Sequence, residues 1–127
     1  MNKTCEWIQV ADVLILKVHH LLGEYANRQL LTAAQQRIDA GNILMIVDLG
    51  SMPYTNSVGL NFLISLQARC QEKHGQIVLA NASDKLMQLL EITKLQPLFQ
   101  LTSSVEEALQ LINQGERTES PENKNSV

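Results

Sequence analysis

The 127-residue sequence predicts a single α/β domain with a mixed, mostly parallel five-stranded sheet and about four helices. Short apolar runs of strand length alternate with segments whose apolar residues recur at spacings of three and four, in the order ββαβαβαβα. Strands that alternate with helices form parallel sheets with right-handed crossovers. A hairpin at the N-terminus adds one antiparallel pair, which makes the sheet mixed.

The predicted strands are of two kinds. Residues 5–10 and 13–19 combine apolar residues with polar ones, and the two residues between them are few enough for a tight hairpin. Residues 43–47 and 77–80 are instead continuous apolar runs, and 98–101 is a short last strand. A continuous run such as 43–47, bounded by turn residues, predicts a strand covered on both faces.

The first two helices are predicted from apolar spacing over residues 24–40 and 57–73. Gly41 follows the first helix directly and suits a left-handed C-cap, and Gly75 ends the second. His74 is then at a helix C-terminus, where a histidine interacts favourably with the dipole and the last carbonyls.

The third and fourth helices are predicted from capping residues as well as from spacing. Ser83 or Asn81 can cap the third helix, and Pro97 prevents its continuation. The fourth begins at residues 103–107, where a serine three residues before a glutamate forms a capping box.

The domain is predicted to span residues 1–114, followed by a polar tail, 115–127, that we expect to be disordered. No apolar stretch reaches the ~20 residues needed to cross a bilayer, and the N-terminus does not resemble a signal peptide. We therefore expect a cytoplasmic protein without direct membrane insertion. Cys5 and Cys70 are far apart in the sequence and are expected to be free thiols, Cys70 as a small core residue.

Composition and motifs argue against several classes of function. A net charge of −3, no basic run and 4% aromatic residues disfavour nucleic-acid binding and favour protein partners. The sequence has none of the GxGxxG, GxxxxGK[ST], HExxH or GxSxG signatures, so we expect no enzyme and no cofactor. His19 and His20 are adjacent and would point to opposite faces of a strand, so no metal site is expected there.

Asp48 ends a predicted parallel strand, which is where a response-regulator receiver domain places its phosphoacceptor. A receiver also needs an acidic pair after its first strand to hold magnesium for phosphoryl transfer. The corresponding strand here ends in Lys17-Val18-His19-His20. Asp48 is therefore interpreted as an acceptor of hydrogen bonds from the turn that follows it.

The turn at residues 54–60 is the strongest local feature, and two interpretations of Ser57 are open. Ser57 or Asn56 can be an ordinary N-cap of the second helix. Alternatively, a phosphoserine at a helix N-terminus would be tolerated by the fold and would repel a partner docked on the turn. Gly59 would leave one side of the helix start bare for close approach by another protein.

This segment resembles the STAS domain family, and within it the bacterial anti-sigma factor antagonists. The family pattern is an apolar strand ending in Asp-Leu, a short turn, and Asp-Ser-Ser/Thr-Gly-Leu opening a helix. The chain has Asp48-Leu49 and then Asn56-Ser57-Val58-Gly59-Leu60. Further matches, over about residues 4–114 in all, are Gly23-Glu24, 77–83, 89–95, Leu98-Phe99 and 104–108.

The resemblance implies an anti-sigma factor antagonist that binds an anti-sigma factor which is also a serine kinase, and so regulates sigma-factor-dependent transcription. The kinase would phosphorylate Ser57 and break the complex, and a cognate phosphatase would restore it. Ser57 is then a phosphoacceptor and not a catalyst. The implied partner-binding residues are Gly23, Glu24, Tyr25, Tyr54, Thr55, Asn56, Ser57, Val58 and Gly59.

An alternative is a STAS scaffold or accessory subunit of a stress-signalling complex or a lipid transporter, in which Ser57 is only a cap. Asn56 in place of the usual aspartate and Val58 in place of the second hydroxyl residue fit this alternative better. The sequence leaves the oligomeric state open.

Overall fold

A computed structural model of the chain describes residues 5–19, 24–50 and 57–119. Within these residues there are five strands, four α-helices and one 3₁₀-helix. They are β1 (Cys5–Val10), β2 (Val13–Val18), α1 (Glu24–Asp39), β3 (Leu44–Asp48), α2 (Ser57–Glu72), β4 (Gln76–Ala80), α3 (Asp84–Ile92), the 3₁₀-helix (Gln96–Leu98), β5 (Gln100–Thr102) and α4 (Val105–Glu119). The predicted fold class and element order are confirmed.

The strands form one sheet in the order β1-β2-β3-β4-β5. Strand β1 is antiparallel to β2, and every later pair is parallel. The register aligns the strand ends, since Lys17 is opposite Asp48, Asp48 opposite Ala80, and Ala80 opposite Thr102. The ends of β2 to β5 and the starts of the four helices that follow them therefore share one edge of the sheet, here called the carboxyl edge.

The two faces of the sheet have separate cores. Helices α1, α2 and α3 cover one face, where Leu16, Met45 and Leu79 are fully buried. Helix α4 covers the other, where Ile46 and Val78 pack with its buried side chains. Strands β3 and β4 are thus apolar on both faces, as their continuous apolar runs predict.

Gly41 ends α1 in the predicted left-handed conformation, with φ of 109°. The N–H of Asn42 donates to the carbonyl of Arg37 at 2.9 Å, and that of Gly41 donates to the carbonyl of Ile38 at 3.0 Å. This pair of bonds is the Schellman motif, which satisfies carbonyls that the helix itself leaves unpaired.

Residues other than glycine end the next two helices in the same way. His74 after α2 and Lys94 after α3 have φ of 61° and 62° and make the same pair of backbone bonds. Gly75 comes one residue after the left-handed position. It is needed because a Cβ there would be 2.3 Å from the carbonyl oxygen of Ile43, far inside van der Waals contact. Gly75 therefore allows close approach to the start of β3.

Ser83, rather than Asn81, caps α3. Its hydroxyl accepts a hydrogen bond from the N–H of Leu86 at 3.1 Å. Asn81 is in the left-handed region with φ of 60°, two residues before the cap. Ser83 is therefore the N-cap, since it directly precedes Asp84, the first residue of α3.

Helix α4 begins with a variant of the predicted capping box, in which one of the two reciprocal hydrogen bonds has a different partner. The Ser104 hydroxyl accepts from the N–H of Glu107 at 3.0 Å. The Glu107 carboxylate does not return to Ser104 but accepts from the N–H of Ser103 at 2.7 Å and from its hydroxyl at 3.0 Å. These bonds favour the charged form and lower the pKa of Glu107.

Two predicted elements differ from the structure by more than one residue at a boundary, whereas the others agree to within one residue. The last strand is Gln100–Thr102 rather than 98–101, because Pro97 fixes a 3₁₀ turn over Gln96–Leu98. Helix α4 continues to Glu119, so residues 115–119, expected to belong to the tail, are helical. Gly115 costs a helix about 1 kcal/mol and does not end it. Residues 120–127 lie outside the described residues, and the domain boundary remains a prediction.

Both cysteines are free, as expected, and Cys70 is buried. Burial raises the pKa of the Cys70 thiol to about 11. Among the described residues, no helix is long and apolar enough to cross a membrane.

Candidate functional site at the carboxyl edge

The starts of α1 and α2 lie side by side at the carboxyl edge. The helices follow adjacent parallel strands and pack against each other on the same face of the sheet. The Arg69 guanidinium donates to Gln35 Oε1 at 2.9 Å. Gln35 comes 11 residues after the start of α1 and Arg69 comes 12 after the start of α2. The two helix starts are therefore level to within about one turn, ~5.4 Å along the axis.

The first turn of α1 presents two of the predicted partner-binding residues to solvent. Glu24 is exposed, and Tyr25 is 68% exposed. The Tyr25 hydroxyl accepts a hydrogen bond from the Gln29 side chain at 2.8 Å, which restrains the ring at the helix surface. Large exposed aromatic side chains are typical of protein interfaces, because they bury much area on binding.

The first turn of α2 is anchored in the core. Helix α2 begins at Ser57. Val58 is half-buried, whereas Gly59 and Leu60 are buried. The bare flank expected at Gly59 is therefore not an open surface in the isolated chain. The predicted site residues Gly23, Tyr54, Thr55 and Asn56 lie outside the described residues.

The charges at the helix starts differ in a way that bears on Ser57. The first turn of α1 carries Glu24, that of α3 carries Asp84, and that of α4 carries Glu106 and Glu107. The first turn of α2 has no acidic residue. The partial positive charge at this N-terminus is therefore not offset within its own first turn, which favours an anion at that position.

Asp48 links two strand exits at the same edge. Its Oδ1 accepts from the N–H of Gly50 at 3.0 Å and from the Asn81 side chain at 2.9 Å. The predicted hydrogen bond from the following turn is confirmed. The role of Asn81 was not predicted, although its position directly after the next apolar strand was a usable signal. This pair of bonds restrains the chain directly after β3, at residues 48–50.

A second polar pair lies at the outer end of the carboxyl edge. His19 Nε2 is 2.8 Å from Glu6 Oε2, which joins the end of β2 to β1. His19 is thus paired with Glu6, and His20 lies outside the described residues. In the described part of the chain, no group of three or more His, Cys, Asp or Glu side chains is arranged to hold a metal ion.

Comparisons with known proteins agree with this fold. The family model of the STAS domain matches residues 6–108. TM1081 of Thermotoga maritima is 16% identical, with 86% of this chain and 94% of that one covered and a TM-score of 0.80. A sulfate transporter family protein of Wolinella succinogenes is 17% identical, with coverage of 87% and 93% and a TM-score of 0.73.

Two structures of SpoIIAA, an anti-sigma factor antagonist of Bacillus, are similar to this chain. Its unphosphorylated form is 14% identical, with coverage of 88% and 97% and a TM-score of 0.68. Its phosphorylated form is 18% identical, with coverage of 85% and 98% and a TM-score of 0.65. At these identities the structures establish a shared fold, whereas the family model matches most of the sequence itself. The chain belongs to the STAS domain family.

Proposed function

We propose that the protein is an anti-sigma factor antagonist that binds an anti-sigma factor with serine-kinase activity and is released when Ser57 is phosphorylated. In this reaction the γ-phosphoryl group of ATP passes to the Ser57 hydroxyl, ADP leaves, and a base of the kinase takes the hydroxyl proton. A cognate phosphatase removes the phosphate by hydrolysis. The chain would thereby regulate sigma-factor-dependent transcription.

The main support is the start of α2. Ser57 is its first residue, at the edge of the sheet where the starts of α1 and α2 are level, and the first turn has no acidic side chain. A phosphate of about −1.5 to −2 charges would suit this N-terminus while changing the surface that a partner meets. Similarity to an anti-sigma factor antagonist, SpoIIAA, in its unphosphorylated and phosphorylated forms adds to this support.

The exposed start of α1 extends the proposed docking surface. Tyr25 and Glu24 belong to the first turn of α1, which packs on α2, and both are exposed. A partner seated on both helix starts would contact Tyr25 and Ser57 together. Charge added at Ser57 would then fall inside the interface, where an unpaired charge weakens binding strongly.

Phosphosite mapping tests the proposal. The full chain is used to capture its partner from host lysate with and without ATP, and the captured kinase is then incubated with the chain and ATP. We expect mass spectrometry to locate phosphate at Ser57 and the complex to dissociate. Phosphate only at other residues, or normal regulation of a Ser57→Ala variant, would contradict the proposal.

A scaffold or accessory-subunit function is the second candidate, favoured by the half-buried Val58 at the second hydroxyl position and by the similarity to a sulfate transporter family protein. A Ser57→Asp variant separates the two. It should abolish partner binding if Ser57 is a switch and leave binding intact if Ser57 is only structural. Ser65→Asp, on the same helix, controls for charge on α2 in general.

A further inference from the structure

Strand β1 is the longer open edge of the sheet. In the part of the chain that the structure describes, β1 and β5 each have one neighbouring strand. Strand β5 has three residues, whereas β1 has six. An edge strand presents a row of unpaired backbone N–H and C=O groups that can pair with another strand.

The hairpin register shows which backbone groups face outward. Val10 and Val13 flank the two-residue turn and form a hydrogen-bonded pair, and such pairs alternate along an antiparallel ladder. Cys5, Trp7 and Gln9 are therefore the residues of β1 whose backbone groups point away from β2. They offer donors and acceptors at regular spacing.

Apolar side chains also continue onto this edge. Ile8 and Val10 are 40% and 39% exposed, although their cross-strand neighbours Ile15 and Val13 are buried in the core under α4. Strand β1 has no lysine, arginine or proline, which are residues that commonly protect an edge. The nearest cation is Arg37 of α1, whose guanidinium lies 4.0 Å from the centre of the Trp7 ring on the face that α1 covers. Its one charged residue, Glu6, is held by His19.

A depression borders β1 on each face of the sheet. The first, of about 220 Å³, is lined by Cys5, Trp7, Ala26, Gln29, Leu30 and Ala33. The second, of about 130 Å³, is lined by Val10, Ala11, Asp12, Val13, Leu109 and Asn113. An added strand directs alternate side chains to the two faces, so both depressions would receive them.

We propose that β1 of a second copy of this chain pairs antiparallel with this edge and joins the two sheets into one. An antiparallel pair of identical strands is self-complementary about a two-fold axis. When Ile8 is opposite Ile8 of the second copy, Trp7 is opposite Gln9 and Glu6 is opposite Val10. Apolar side chains then meet at the centre and no like charges oppose each other.

The dimer would approach the proposed antagonist site only at α1, where Gln29 lines the first depression and also donates to the Tyr25 hydroxyl. Ser57 belongs to α2, and α1 is the helix that borders both α2 and β1. The pairing of two six-residue strands buries less surface than the roughly 1,600 Å² of a standard protein interface. The dimer is therefore reversible and depends on protein concentration.

Sedimentation velocity of the full chain over about a hundredfold concentration range tests the proposal. The wild type should pass from monomer to dimer, and amide hydrogen exchange at Cys5, Trp7 and Gln9 should slow in parallel. Ile8→Lys places a charge at the centre of the paired edge and should remain monomeric. Gln9→Pro removes an outward-facing N–H from the ladder together with the side-chain bonds of Gln9 to the carbonyls of Ala11 and Val13, and should also remain monomeric. Gln9→Ala removes only the side-chain bonds and should dimerise like the wild type.

Ile92→Lys is the matched control, because Ile92 is 77% exposed on α3, away from β1. This variant should dimerise like the wild type. Circular dichroism and the thermal midpoint establish that each variant is folded. A monomeric wild type at every concentration would overturn the proposal. So would a dimer that persists in Ile8→Lys and Gln9→Pro, or protection of β1 only when a different protein is added.

Discussion

The side-chain amide of Asn81 donates to Asp48 Oδ1 at 2.9 Å and so joins the exit of β4 to the exit of β3. The same oxygen accepts the N–H of Gly50 at 3.0 Å. Two donors from different segments thus converge on one carboxylate oxygen at the carboxyl edge. Losing the carboxylate would leave both donors without this partner.

We expect Asp48→Ala to lower the free energy of unfolding by about 1–3 kcal/mol, because it removes two hydrogen bonds and the donor of one of them, the Asn81 amide, is partly buried. Urea denaturation monitored by circular dichroism measures the change. Asp39→Ala is the matched control, since Asp39 is an exposed carboxylate 3.8 Å from Lys73 and should change stability by less than about 1 kcal/mol. Equal losses in the two variants would show that the Asp48 bonds contribute little.

Helix α3 offers a paired test of core packing. Leu90 is fully buried and Ile92, two residues later, is 77% exposed. Leu90→Ala should lower the free energy of unfolding by about 2–5 kcal/mol, because it removes buried apolar surface and leaves a cavity. Ile92→Ala should change it by no more than about 0.5 kcal/mol. If equilibrium unfolding gave similar losses for both, α3 would not pack as described.

The Glu107 cap predicts a pH dependence. Its pKa is lowered from the ordinary value of 4.5 by the hydrogen bonds from Ser103. Its stabilising contribution is therefore complete at neutral pH and is lost as the pH falls below 4.5 through the lower folded-state pKa.

We expect the stability difference between wild type and Glu107→Gln to shrink over that acidic range, and NMR titration to give a low pKa for Glu107. Glu106→Gln makes the same charge change without removing the bonds to Ser103 and serves as the control. An identical pH profile for both variants, or an unshifted titration of Glu107, would be inconsistent with this cap.

The two thiols should differ in reactivity. The pKa of Cys70 is raised to about 11 by burial, so at pH 8 about one thiol in a thousand is ionised, and the sulfur is also shielded. Cys5 is only half-buried. Iodoacetamide followed by intact-mass measurement should label Cys5 first, and Cys5→Ser should label slowly under the same conditions. Fast labelling of Cys5→Ser would place Cys70 nearer the surface than described.

The local features of this fold could be predicted from the sequence. Apolar periodicity located each strand and helix, because burial of one face of a helix or both faces of a central strand requires that spacing. The caps at Gly41 and Ser104 were also predictable, since they depend on backbone groups within a few residues. The Asp48–Gly50 bond is local in the same sense.

Features that depend on segments distant in the sequence were decided by the tertiary structure alone. Asn81 reaches Asp48 across 33 residues of sequence, because β3 and β4 are adjacent in the sheet. His74 and Lys94 adopt the left-handed conformation, which is energetically unfavourable for residues other than glycine. The packing of the surrounding structure compensates for this cost. Among the strands that the structure describes, the order leaves six-residue β1 with one neighbour only.

The predicted docking residues show the same division. Their sequence pattern placed Ser57 at a helix start, but only packing set Tyr25 in solvent and Gly59 in the interior. Helical periodicity gives the face of a side chain relative to its own helix. Whether that face is buried depends on neighbours that are distant in the sequence. Those neighbours take their positions only when the whole chain packs.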